Sequence, residues 1–145
     1  VARISGLVAR QEDQVIEVPL GLVGFPGEKR FVLIEHQKGS PFFWFQSVDN
    51  GALAFVLIDP VLILPEYEVK LSPKAISLLK VNNGTGKAHP LQPMVIVNIS
   101  KEDPREVTAN LLGPVVINYQ ERLAMQLALD PRRYSHRHPV LQPLK

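Results

Sequence analysis

The sequence contains no cysteine. This absence excludes disulfide bonds, thiolate nucleophiles and thiolate metal ligands, and it is typical of proteins that work in a reducing compartment. The first residues also lack the basic start and the long apolar stretch of a signal peptide. We therefore expect a cytoplasmic protein whose fold depends on a packed core rather than on cross-links.

Long apolar runs are lacking as well. A membrane-spanning helix needs about 20 consecutive apolar residues, whereas Asp59, Pro60 and Pro65 interrupt or end the most apolar stretch. The 145 residues are 46% hydrophobic and 21% charged, which is typical of a globular domain. We expect a single domain over residues 1–145 and no membrane span.

A strong overall charge is absent, because the net charge is +2 with neutral histidines. The basic residues are nevertheless unevenly spread, and residues 69–101 contain no acid. The lysines in this range are Lys70, Lys74, Lys80, Lys87 and Lys101. Two interpretations remain open: solvated lysines on an ordinary surface, or a Lys-rich face that binds RNA phosphates.

Frequent turn residues predict short strands. The 13 prolines and 9 glycines divide the chain into short segments that are rich in β-branched and aromatic residues. The predicted fold class is all-β. The predicted strands are residues 4–10, 15–18, 30–35, 43–48, 53–58, 67–71, 94–100, 111–118 and 123–129.

One short helix is predicted after Ser72. This serine is a good N-cap, Pro73 suits the first helical position, and apolar residues follow at helical spacing. We expect residues 82–84, two asparagines and a glycine, to end the helix. Residues 82–93 are then expected to form a loop.

The aromatic run at residues 42–45 has two interpretations. Exposed rings could stack on nucleic-acid bases, or alternate rings of a strand could point into a core. Ser40, Gln46 and Ser47 flank the run instead of basic residues, which favours the core. The predicted core residues are Phe43, Phe45, Phe55, Val56, Val95, Val97, Val116 and Ile117.

Candidate catalytic and metal-binding groups are weak. His136 and His138 have no nearby acid or cysteine that would complete a zinc site. The glycine-rich stretch at residues 21–27 lacks the Lys-Ser/Thr of a phosphate loop and is interpreted as a tight turn. We predict no metal, no cofactor, no catalytic residue and no enzymatic activity.

Several stretches in order along the chain resemble the flagellar assembly factor FliW family. They are PLGLVGFP at 19–26, SPFFWFQSV at 40–48, LAFV at 53–56, YEV at 67–69, EDP at 102–104, TANLLGPVVIN at 108–118 and YSHRHP at 134–139. The resemblance implies a compact, antiparallel, barrel-like fold with little helix. The chain departs from the family in its charge, because family members are as a rule acidic and this chain is not.

The resemblance also implies a function without catalysis. Members of the family bind newly made flagellin, and the free factor binds the RNA-binding regulator CsrA non-competitively, away from its RNA groove. Repression of flagellin translation is thereby relieved. We expect these two protein partners and no direct contact with nucleic acid, while the Lys-rich face keeps an RNA-binding module as the alternative.

An apolar segment between two prolines is the predicted partner surface. Flagellin's terminal regions are helical, as the resemblance implies, so a receiving surface needs exposed apolar side chains. The segment comprises Val61, Leu62, Ile63 and Leu64, and Tyr67 adds an aromatic ring. The same aliphatic residues could instead close one end of the barrel. Further predicted contributors are Phe25, in the loop at 20–26, and Asn110.

Overall fold

A computed structural model describes residues 14–81, 91–100, 102–103 and 106–140. These residues form nine strands, one short α-helix, α1 (Pro73–Leu78), and one 3₁₀ turn (Pro60–Leu62). The strands are β1 (Ile16–Glu17), β2 (Arg30–Glu35), β3 (Phe42–Ser47), β4 (Ala54–Ile58), β5 (Leu91–Ile99), β6 (Val107–Ala109), β7 (Val115–Asn118), β8 (Leu123–Gln126) and β9 (His138–Pro139).

Seven of these strands form a closed sheet. Hydrogen bonds join them in the order β4-β3-β2-β1-β8-β7-β5, and β5 pairs again with β4. Strand β6 pairs with the far end of β5, and β9 pairs with β6. The predicted all-β, barrel-like fold with one short helix is confirmed. One pairing differs from the antiparallel expectation, since β1 and β8 are parallel.

The inside of the closed sheet is apolar. Side chains alternate between the two faces of a strand, and the register places Leu33 opposite Phe45 and Phe45 opposite Phe55. The buried residues of this interior cluster are Ile16, Val18, Leu22, Phe31, Phe45, Leu57, Met94, Val115, Ile117 and Ala124. Of the predicted core residues, Phe43 and Phe55 pack against this cluster while remaining partly exposed.

A second apolar cluster covers the opposite face of β4, β5 and β6. Its buried residues are Ile58, Tyr67, Val95, Val97, Ala109, Leu111, Tyr134 and Val140. The register confirms that they share a face, because Ile58 lies opposite Val95, and Val97 lies opposite Ala109. We call this the outer cluster. The strands at its centre are therefore covered by apolar side chains on both faces.

Helix α1 begins as predicted but ends earlier. The hydroxyl of Ser72 accepts a hydrogen bond from the Ala75 N–H at 3.1 Å, which is an N-cap. Lys80 has a φ of 56°, and the Val81 N–H bonds back to the Ile76 carbonyl at 3.0 Å. This left-handed closure ends the helix, so residues 82–84, which lie outside the described part, are not needed to stop it.

Three predicted segments differ from the structure. Residues 67–71 form no strand, because Tyr67 instead packs sideways into the outer cluster. Residues 111–114 form a turn before β7, and residues 91–93 belong to β5 rather than to a loop. The predicted strand at 4–10 lies outside the described residues.

Candidate functional site

Most of the exposed large apolar side chains lie at two places on the surface. One is the loop at 20–26, which carries Leu20, Val23 and Phe25. The other is the 3₁₀ turn Pro60–Leu62, which carries Val61 and Leu62. Contiguous exposed apolar groups are a common mark of protein interfaces. Both places were singled out from the sequence as partner surfaces.

The Pro60–Leu62 turn is capped at its N-terminal end. The Asp59 carboxylate accepts a hydrogen bond from the Val61 N–H at 3.1 Å, and Pro60 occupies the first position of the turn. Val61 and Leu62 are 44% and 54% exposed. The segment therefore presents two aliphatic side chains on a fixed backbone.

The rest of this segment serves as its support. Ile63 and Leu64 are half-buried and pack against the outer cluster. The Leu64 N–H bonds to the Pro60 carbonyl at 2.9 Å, and the Tyr67 N–H bonds to the Leu64 carbonyl at 2.9 Å. The structure thus divides the predicted aliphatic residues into two that face outward and two that anchor them.

Tyr67 does not add an exposed ring to the surface, as had been expected. It is only 8% exposed, and its hydroxyl donates to the Leu111 carbonyl at 2.6 Å. Burial, followed by the neighbouring Tyr134, raises the pKa of Tyr67. The apolar packing that draws Tyr67 inward makes it a support beneath the segment.

Tyr134 ties the C-terminal part of the described chain to the same support. Its ring lies 4.7 Å from the Tyr67 ring between centroids, and its hydroxyl accepts from the Glu68 N–H at 3.2 Å. Val140 and β9 anchor this region further.

The loop at 20–26 is a preformed turn that rests on the interior cluster. Leu22 and Phe25 form a β-bridge, and Gly21 and Gly24 have φ values of 68° and 86°. The Phe25 ring packs edge-on against Phe55 at 5.4 Å. Phe25 is 39% exposed, so part of its ring faces solvent while the remainder is in contact with the core.

Asn110 acts within its own turn. Its side-chain oxygen accepts from the N–H groups of Leu112 at 3.1 Å and Gly113 at 3.0 Å. A side chain at Gly113 would meet the Asn110 amide nitrogen at 3.1 Å, so the glycine allows the turn to close. These contacts give Asn110 a structural role, which the sequence did not reveal.

A glutamine links the two predicted contributors Phe25 and Asn110. The Gln126 side chain donates to the Gly113 carbonyl at 2.9 Å and accepts from the Val23 N–H at 2.8 Å. The loop at 20–26 and the turn at 110–113 are therefore neighbours. The segment that contains the Pro60–Leu62 turn packs on the outer cluster through Ile63 and Leu64, so the structure divides the predicted site into two groups with different supports.

Sequence reasoning did not single out Gln126, Ile99 or Tyr119. Ile99 is 57% exposed at the end of β5, and Tyr119 is 44% exposed after β7. Isolated apolar residues at strand ends give no periodic signal. The fold is needed to show which of them face solvent.

Metal-ligating and basic residues are arranged as follows. Within the described ranges, no group of three or more His, Cys, Asp or Glu side chains could hold a metal ion. His136 is exposed and His138 belongs to β9.

Of the lysines predicted to form a basic face, Lys70, Lys74 and Lys80 are exposed, and Lys87 and Lys101 lie outside the described residues. No described helix is long and apolar enough to cross a membrane.

Comparison with known proteins identifies the family. The family model described as FliW protein matches residues 2–141. The chain belongs to the FliW family.

Relatives and a solved structure agree with this assignment. Proteins named flagellar assembly factor FliW from Geobacter sulfurreducens and Syntrophus aciditrophicus are 39% and 36% identical. The alignments cover 92% of this chain and 80% of the first relative, and 94% of this chain and 84% of the second. A crystal structure of a flagellar assembly factor FliW superposes with a TM-score of 0.79 at 32% identity, covering 91% of this chain and 89% of that one.

Proposed function

We propose that this protein is a cytoplasmic flagellar assembly factor that acts by binding other proteins. Its partners are flagellin and, when flagellin is exported, the RNA-binding regulator CsrA. The observation that carries this proposal is the match of residues 2–141 to the FliW family. Two exposed apolar places on a closed sheet are consistent with a protein that binds partners and needs no catalytic group.

In the proposed mechanism, the level of free factor follows the level of flagellin. Flagellin occupies the factor while it accumulates in the cytoplasm, and export frees the factor to bind CsrA. Binding away from the RNA groove lowers the RNA affinity of CsrA and relieves repression of flagellin translation. Such a switch needs only mass action and a coupling free energy between the two sites of CsrA.

The partner surface is assigned to the Pro60–Leu62 turn first. Val61 and Leu62 are held outward by the Asp59 cap, with Ile63 and Leu64 packed beneath them. A helical partner segment places apolar side chains at i, i+3 and i+4 against such a patch. The loop that carries Phe25 is a secondary contributor, and Asn110 contributes by shaping the neighbouring turn.

The test is titration calorimetry of the protein with purified flagellin and, separately, with purified CsrA. We expect both to bind, and we expect the factor to lower the affinity of CsrA for its RNA even when RNA is in excess. Failure of both partners to bind would contradict the proposal. If excess RNA restored full RNA binding by CsrA in the presence of the factor, the non-competitive part of the proposal would be contradicted.

A direct titration with RNA at two salt concentrations tests the alternative. A surface that neutralises phosphates with lysines loses affinity steeply as salt rises. We expect no RNA binding at either concentration. RNA binding with a steep salt dependence would favour an RNA-binding module using Lys70, Lys74 and Lys80.

A further inference from the structure

Tyr119 is a large aromatic side chain on the surface directly after β7. It is 44% exposed, whereas Tyr67, the ring predicted for the partner surface, is buried. Tyrosine is enriched among the residues that contribute most to protein binding, because its ring is apolar and its hydroxyl can form hydrogen bonds. The position of Tyr119 relative to Val61 and Leu62 therefore decides whether it belongs to the same surface.

The topology brings Tyr119 to the same end of the sheet as the Pro60–Leu62 turn. Strands β4 and β7 pair with β5 on its opposite sides, and both pairings are antiparallel. Strands β4 and β7 therefore run in the same direction, and their C-terminal ends point to one end of the closed sheet. Asp59 follows β4 and Tyr119 follows β7, while the Pro60–Leu62 turn contacts β5 between them.

Electrostatics are consistent with this placement. Burial and then the negative charge of Asp59 raise the pKa of Tyr119. The interaction between two charges falls with their separation, so this effect agrees with the placement of both residues at one end of the sheet. The same carboxylate accepts the Val61 N–H at 3.1 Å. Asp59 thus caps the turn that carries the two exposed aliphatic residues, at the end of the sheet where Tyr119 follows β7.

The chain around the turn is acidic. Residues 39–69 contain four acids and no lysine or arginine. Of these acids, Asp49 is paired with Arg30 at 2.7 Å, and Glu68 belongs to the backbone segment that contacts the Tyr134 hydroxyl. The acids nearest to the exposed aliphatic pair along the chain are therefore Asp59 and Glu66.

A basic group lies close to Asn118, the residue before Tyr119. The Asn118 side chain donates to the Leu79 carbonyl at 2.7 Å, and the exposed Lys80 follows directly. Lys80 therefore belongs to the segment that contacts Asn118, whereas Asp59 and Glu66 flank the exposed aliphatic pair along the chain. A partner that approaches Val61 and Leu62 meets negative charge there.

We propose that Tyr119 joins Val61 and Leu62 in one binding surface, and that this surface accepts an amphipathic protein segment whose apolar side chains are flanked by basic ones. This inference rests on the proposed function, because it names a further residue of the partner surface and the chemistry of the segment bound there. Apolar anchors fill the patch, and basic side chains complement Asp59 and Glu66.

A double-mutant cycle tests whether the surface is continuous. Leu62→Ala, Tyr119→Ala and the double variant are titrated with flagellin and with CsrA, and Ile99→Ala is the control because Ile99 is as exposed as Leu62. We expect each single change to lower the affinity for the same partner about tenfold. The double change should lower it by less than the product of the two single effects. Ile99→Ala should leave both affinities unchanged.

Two results would overturn the inference from the cycle. An unchanged affinity of Tyr119→Ala for both partners would remove Tyr119 from the surface. Losses that multiply fully in the double variant would place Tyr119 and Leu62 at independent sites. Circular dichroism and thermal melting of each variant separate lost binding from lost folding.

Two designed helical peptides test the charge of the segment. One carries leucines flanked by lysines, and the other carries the same leucines flanked by glutamates. In NMR titrations, we expect the lysine peptide to shift the amide signals of Val61, Leu62 and Tyr119. We expect Glu66→Lys to weaken the binding of this peptide. Equal effects of both peptides, or shifts elsewhere on the surface, would overturn the assignment.

The peptide titration also separates this inference from the proposed function. If neither flagellin nor CsrA binds the native protein, the proposed function fails. The lysine peptide would then still show whether the Tyr119 surface binds a basic amphipathic segment. If flagellin or CsrA binds while Tyr119→Ala is without effect, only the further inference fails.

Discussion

The two apolar clusters of this protein are built in different ways. The interior cluster is enclosed by strands, and its members come from alternating positions within them. The outer cluster is covered by the Ile63–Leu64 part of the turn segment and by Tyr67 and Tyr134, which come from irregular segments. The difference teaches that the closed sheet supplies the stable frame, while long-range polar contacts hold the segment of the proposed partner surface on it.

The largest expected effect is in the interior cluster. Phe45 is fully buried and its ring is stacked 4.5 Å from Phe31 between centroids. Phe45→Ala should lower the free energy of unfolding by about 3–5 kcal/mol, measured by urea denaturation. Phe43→Ala is the matched control, because the partly exposed Phe43 ring should cost less. Equal losses for the two variants would contradict the interior packing described above.

A smaller effect is expected where the loop at 20–26 meets this interior. A side chain at Gly21 would lie 2.6 Å from the backbone of Phe25 and Pro26 in a residue with φ of 68°, whereas one at Gly24 would meet no atom within 4 Å. Gly21→Ala should cost about 2–3 kcal/mol, and Gly24→Ala about 1 kcal/mol from its φ alone. Thermal melts of the two variants give the comparison. A larger loss of stability in Gly24→Ala than in Gly21→Ala would contradict the described packing of the loop.

The outer cluster should respond to the loss of one hydroxyl. Tyr67→Phe removes the 2.6 Å hydrogen bond to the Leu111 carbonyl and leaves this buried acceptor without the hydroxyl. The free energy of unfolding should fall by about 1–2 kcal/mol. Tyr134→Phe should cost less, because its hydroxyl contacts Glu68 at longer distances of 3.2 and 3.4 Å. Denaturation of both variants gives the comparison, and no loss in Tyr67→Phe would contradict the support assigned to Tyr67.

The smallest effect is expected outside both clusters, at the ion pair between Arg30 and Asp49. The hydrogen bond from Arg30 lowers the pKa of Asp49, so the stability from this pair is present above the carboxyl's unfolded pKa and is lost as pH falls through the lower folded pKa. Asp49→Asn should therefore lower the melting temperature slightly at pH 7 and not at strongly acidic pH. If the difference in melting temperature between the native protein and Asp49→Asn became larger as pH falls, the pairing of Arg30 with Asp49 would be contradicted.

The contrast between the clusters also explains how much of the fold could be predicted from the sequence. Strand β2 was predicted with its observed bounds, because its six residues combine apolar β-formers with charged ends. Phe45, Val95, Val97, Val116 and Ile117 were correctly placed in the core, because they lie in strongly apolar strand segments. Strands β6 and β9 were missed, since three and two residues carry too little periodic signal.

The candidate site was predicted in part. The proline-bounded segment and the Gly-Phe loop were found because their composition is locally unusual, and the structure places Val61, Leu62 and Phe25 on the surface. Tyr67 was misplaced, because its burial depends on Leu111 and Tyr134, which lie 44 and 67 residues further along the chain. Tyr119 was missed because its neighbourhood arises only when β4 and β7 flank β5.

The measurement that tests the central claim most directly compares Leu62→Asp with Ile99→Asp. Both residues are exposed to a similar degree, at 54% and 57%, so each change places a carboxylate on the surface at small cost to folding. With circular dichroism confirming the fold, calorimetry should show that Leu62→Asp loses binding to flagellin or to CsrA and that Ile99→Asp retains both. A folded Leu62→Asp variant that binds both partners with native affinity would contradict the assignment of the partner surface.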